Sequence, residues 1–131
     1  MFRTLARLAA AAAVAATLAF APAAPVGAGE EAHITVAPLP RAAVVGKPVT
    51  VEFVVLDAAR RPLDDLAPLV IATSDGRRVE AGAARVRAPR ARGRYAADLV
   101  LPADGAWRIV VDSRYCGNTA TAGTLAVRAA R

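Results

Sequence analysis

The chain has 131 residues, 56% of them hydrophobic but only 5% aromatic, and a formal net charge of +6. That length suits one domain with a modest core, and a single cysteine, Cys116, excludes a fold stapled by internal disulfides. Sixteen of the 17 basic residues are Arg, in a sequence also rich in Ala, Pro and Gly. The bias runs through the whole chain, so any one arginine is weak evidence for a nucleic-acid or membrane partner.

Residues 1–28 have the three-part layout of a secretory signal: Arg3 and Arg7, then an apolar run from Leu8 to Ala21, then the small residues Val26-Gly27-Ala28. The rival reading is a membrane anchor. The run is shorter than the roughly 20 residues a spanning helix needs and is followed by Pro22 and Pro25. The layout therefore predicts cleavage near Ala28 and a protein exported to the periplasm or the extracellular space, touching membrane only through the uncleaved signal. Residues 29–131 remain as one domain of 103 residues, with 15 basic and 11 acidic groups.

Beyond the signal the sequence alternates rather than turning with a helical period. His33 to Val36 reads as a first strand, ended by Pro38 and Pro40, with Ala42 to Val45 continuing it at a sheet edge. Val49 to Leu56 (VTVEFVVL) places Val49, Val51, Phe53 and Val55 on an apolar face. A charged loop, Asp57 to Asp65, leads to a strand over Leu66 to Thr73 that Pro68 interrupts. Ser74-Asp75-Gly76 is a turn, with Arg77 to Glu80 returning as the second arm of a hairpin. Ala83 to Ala88 is an edge strand with Arg85 and Arg87 directed outward against Ala84, Val86 and Ala88.

Gly93 to Asp112 reads as two amphipathic strands joined by a tight turn at Pro102-Ala103-Asp104-Gly105. Tyr95, Leu99, Trp107 and Ile109 lie on the buried phase. Tyr115 to Thr121 is a polar turn region, and Gly123 to Ala129 is the last strand, with Leu125 and Val127 inward. Seven to eight short strands in about 100 residues predict an all-β, immunoglobulin-like sandwich. The core is expected to include Val51, Phe53, Tyr95, Leu99, Trp107, Ile109 and Leu125.

The motif order resembles the YtkA-like and FixH-like exported sandwich domains. The matching residues are Gly46, Pro48, Val51, Phe53, Val55 and Asp57, then Gly93, Tyr95, Ala97, Leu99, Leu101, Pro102, Gly105 and Trp107. More distantly the pattern is similar to CopC-like copper-resistance domains. The resemblance covers most of Ala42 to Val111 and implies an extracytoplasmic binding or assembly-accessory role, with copper handling as the alternative. The CopC type depends on a histidine at the mature N-terminus and on further histidines, whereas this chain has one, His33.

Chemistry-bearing residues are few. Ser74 and Ser113 are the only serines, and neither sits in a G-x-S-x-G elbow. Asp64 and Asp65 are adjacent and read as loop charge. No phosphate-cradling glycine motif is present, so the chain is expected not to be an enzyme and to need no cofactor. His33 and Cys116 are the two candidate soft ligands for a metal, copper above all, although a closed structural zinc site needs four. For His33 the plainer reading is a solvated strand residue. Arg85, Arg87, Arg90, Arg92 and Arg94 form the candidate partner-binding cluster, for a protein or another envelope component. The absence of interleaved aromatics argues against nucleic acid. The plainer reading is a solvated, charged edge.

Overall fold

The computed structural model describes residues 31–131, so the expected signal segment and its cleavage site lie outside the described residues. Ala32–Arg131 forms one compact unit. Its strands are β1 (His33–Val36), β2 (Ala42–Val44), β3 (Val49–Leu56), β4 (Leu69–Ser74), β5 (Arg77–Gly82), β6 (Ala84–Arg85), β7 (Arg94–Leu99), β8 (Gly105–Asp112) and β9 (Thr119–Arg128). No helix occurs among the described residues. One sheet has the order β1-β3-β7-β6 and the other β2-β9-β8-β4-β5. Every pairing is antiparallel except β2 with β9.

The nine segments amount to seven passes of the chain across the sandwich. β1 and β2 are two parts of one pass that changes sheets across Pro38-Leu39-Pro40. Proline has no N–H for a ladder, so the first pairing stops there and the chain is released to the opposite sheet. Ala42–Val44 thus lies at an edge, as expected, but of the sheet that β1 does not belong to. β5 and β6 likewise form one pass that changes sheets at Ala83, whose N–H is held by the Pro68 carbonyl at 2.9 Å.

The alternation fixes the core. β3 buries Val49, Val51, Phe53 and Val55 and turns Thr50 and Glu52 to solvent. Trp107, Ile109 and Val111 of β8 are buried, as are Leu125 and Val127 of β9. Val51, Phe53, Tyr95, Leu99, Trp107, Ile109 and Leu125 are all at most 1% exposed, which places the whole expected core inside. Phe53 and Tyr95 stack with centroids 5.8 Å apart, and the Trp107 indole N–H donates to the Ala103 carbonyl at 2.9 Å. Each buried ring with a polar group therefore has a partner for it. The Ser74 turn is the expected hairpin: Asp75 and Gly76 both have positive φ, 44° and 78°, as a two-residue turn matching the sheet twist requires.

Two expectations need correction. Gly93 to Asp112 does contain two strands, but β7 belongs to the first sheet and β8 to the second. The stretch between them is a crossover, with Leu101 buried as its anchor. Alternation reports which side of a strand is apolar, and two strands facing one core from opposite sheets alternate just as a hairpin does. The last strand also begins at Thr119 rather than near Gly123. Gly123, with φ 137°, sits at the register shift opposite Ile109 and Val110, so this glycine marks a bulge inside β9 and not its start.

Candidate partner-binding surface

At one end of the sandwich the long loop between β3 and β4 is tied to the start of β7. Asp64 supplies most of that tie. Its Oδ1 accepts the Gly93 N–H at 2.6 Å, its Oδ2 accepts the Arg92 Nε–H at 2.8 Å, and the Arg85 Nε lies 3.7 Å away. The Gly93 N–H first, then the Arg92 guanidinium, hold the Asp64 carboxyl below its ordinary range. Beside it the Tyr95 hydroxyl donates to the Leu63 carbonyl and accepts the Leu66 N–H at 3.1 Å. Burial pushes the Tyr95 phenol above its ordinary value, which keeps the proton it donates to Leu63 in place.

A group whose pKa is lower folded than unfolded stabilises the fold above its unfolded value and loses that contribution as pH falls through the folded value. Asp64 is therefore expected to be fully stabilising at neutral pH and to lose its contribution as pH falls below about 4. Asp64→Asn, which keeps an acceptor for Gly93, should melt less steeply with acid than the wild type over that range. Parallel melting curves from pH 5 to pH 2 would show that Asp64 does not couple folding to protons.

The tie fixes where the arginines stand. β6 pairs Arg85 with Tyr95, a core-facing residue, so Arg85 leans over the rim towards Asp64. β6 lies at a sheet edge with Arg85 and Arg87 exposed, as expected for Ala83 to Ala88, but it is only two residues long, and its register pairs Arg85 with the inward Tyr95. Arg92 is likewise engaged by Asp64. Arg87, Arg90 and Arg94 are exposed and form no ion pair among the described residues. Their loop is nevertheless shaped by the backbone. Ala91 is 3% exposed, its N–H bonds to the Ala88 carbonyl, and the Val86 N–H bonds to the Arg94 carbonyl at 2.9 Å. An open groove of about 480 Å³ runs beside it, lined by Arg85, Arg87, Ala88 and Pro89.

Of the five arginines singled out in the sequence, three are thus open and two help hold the fold. The organising residue, Asp64, reads as loop charge in sequence. Its partners Arg85, Arg92 and Gly93 lie 21 to 29 positions away, and only the register of β7 brings them to it.

His33 opens edge strand β1 opposite Leu56 and is half-buried. Cys116 lies in the turn between β8 and β9, at the same end of the sandwich by topology, and is exposed. Among the described residues no three His, Cys, Asp or Glu side chains group to hold a metal ion. Exposure at a strand end is what the sequence implies for Cys116. A thiol reagent is expected to modify it in the folded protein at a rate close to that of the unfolded chain. Protection until unfolding would remove Cys116 from any account of function.

No protein-family model and no curated protein matches the chain. Among solved structures it is similar to the filamin domain of Lin-41, at 17% identity and a TM-score of 0.55, covering 76% of this chain and 94% of that one. It also aligns with the C-terminal domain of ZirS at 10% identity and a TM-score of 0.48, over 75% of this chain and 66% of that one. A β-glucosidase from Listeria innocua in complex with glucose aligns at 11% identity and a TM-score of 0.43, over 74% of this chain and 16% of that one. The first of these shows the fold: residues 31–131 form an immunoglobulin-like β-sandwich.

Proposed function

We propose that this is an exported, non-catalytic binding or assembly-accessory domain of the YtkA-like and FixH-like kind, whose contact surface is the arginine-bearing rim. The observation that carries the reading is the state of Arg87 and Arg90, open cations on a loop whose backbone is already tied down, and of Arg94, exposed at the start of β7. A surface ordered in advance loses less entropy on binding than a flexible one, and a single sign of charge selects an acidic protein or anionic envelope component. Reversing Arg87 and Arg90 to Glu tests it. Retention on immobilised poly-glutamate or on anionic vesicles should weaken and its salt dependence flatten. The melting temperature should move by no more than about 3 °C, because exposed substitutions seldom cost much. Equal retention of both proteins on both supports would leave the arginines as a solvated edge.

A second reading, copper handling, rests on the placement of His33 and Cys116 at one end of the sandwich. Two donors do not fit the multi-histidine site of CopC-like domains, so such a site would need ligands from a partner. Copper content of the purified protein, with and without reductant, decides it; stoichiometric copper lost in Cys116→Ser would favour this reading over the first.

A further inference from the structure

Strand β5 borders the second sheet, paired with β4 on one side and with no strand among the described residues on the other. Which of its backbone groups are open follows from the hairpin. Ser74 and Arg77 flank the two-residue turn and so form a hydrogen-bonded pair, after which bonded and non-bonded pairs alternate. The Ala83 N–H to Pro68 carbonyl bond, at 2.9 Å, fixes the same phase from the far end of the strand. The N–H and C=O groups of Arg78, Glu80 and Gly82 therefore point away from β4, and all three residues are exposed. They form a row of ladder positions about 6.6 Å apart, the template on which another strand pairs.

The other edges are blunted. β1 and β2 have four and three residues and are separated by Pro38 and Pro40. β6 has two residues. β5 has six, without proline. What guards it is charge, and charge on an edge commonly serves to keep strands off. An uncompensated positive charge does this selectively, since it favours a strand of opposite sign. β5 carries two arginines, Arg77 and Arg78, and one acidic residue, Glu80, which Arg78 already holds at 2.6 Å. Arg77 is exposed and forms no ion pair among the described residues.

We propose that the β5 edge accepts an extended acidic segment of a partner polypeptide as a sixth strand of the second sheet, with the carboxylates on one face of that segment set towards Arg77. This rests on the binding reading above and narrows its partner to a polypeptide in extended form.

The probe is a labelled ten-residue peptide of alternating Asp and Thr, compared with the same peptide N-methylated at alternate residues and with anionic vesicles. The unmodified peptide should bind the protein and slow amide exchange at Arg78, Glu80 and Gly82. Glu80→Pro removes an N–H that β4 does not use, and should weaken binding by about tenfold or more, the scale of a lost ladder bond with its partner left unpaired. Arg77→Glu should weaken it too and reduce its salt dependence. If Glu80→Pro does not fold, the N-methylated peptide tests the same bonds from the other side, and it should fail to bind. Equal binding of the two peptides would overturn strand addition while leaving the arginine surface standing. Binding of vesicles but not of either peptide would overturn it as well, in favour of a lipid partner. If peptide and vesicles both bind regardless of the Arg87 and Arg90 reversals, the reading of the rim falls while strand addition at β5 stands.

Discussion

Trp107→Ala is expected to cost about 3–5 kcal/mol, a large share of the roughly 5–15 kcal/mol that holds a small domain folded. Trp107 is wholly buried on β8, in register with the equally buried Leu125 of β9, and β8 itself runs between β4 and β9. Losing the indole opens a cavity between strands that are paired on both sides and cannot easily close on it. Chemical denaturation should show the midpoint falling with little change in slope. Thr124→Ala, on the exposed face of the neighbouring strand, supplies the control that should barely move. A Trp107→Ala protein as stable as the wild type would mean that β8 presents its other face to the core.

Gly93→Ala is expected to be nearly as damaging, for a different reason. Gly93 has φ of 70°, a region that costs other residues energy, and it is buried where the β3–β4 loop crosses the start of β7. A methyl group there would lie 2.8 Å from the Val55 carbonyl oxygen and 2.9 Å from the Pro62 Cβ. One neighbour is backbone and the other a ring, so neither can swing aside. Left-handed strain and overpacking together should cost roughly 2–4 kcal/mol. The same change at Gly46, also at positive φ but with open space around it, isolates the backbone part and should cost less. Equal losses at the two positions would remove the packing argument.

These two residues also mark how far the sequence could be read. The phase of Trp107 is plain from Trp107, Ile109 and Val111 alternating with Arg108 and Asp112, and burial follows that phase in β3, β7 and β8 alike. Gly93 appears in the sequence as the start of a strand and as one position of the resemblance, with nothing to show why glycine is needed there. The contacts that require glycine come from Val55 and Pro62, more than thirty positions earlier, and no local pattern encodes them. Sheet membership was hidden for a related reason. Leu99 and Trp107 share one core from opposite sheets, and the alternation on either side of Pro102 is the same as in a hairpin. The arginine rim was half legible. Its charge could be counted along the chain, but the engagement of Arg85 and Arg92 by Asp64 depends on tertiary register.

The parallel pairing of β2 with β9 has a consequence for how the molecule comes to be folded. It joins residues 84 positions apart, Ala42 with Ala126 and Val44 with Arg128. That closure cannot form until the last strand of the chain is available, and β8, with the largest buried side chain, lacks its β9 neighbour until the same moment. During synthesis the β4–β5 hairpin can form early, because its partners are close in sequence, while the second sheet stays incomplete until β9 has been made. Contacts this distant in sequence place folding in the slow range for a domain of this size, about milliseconds to seconds. Any chain shortened before Thr119 should remain an open, protease-sensitive set of strands.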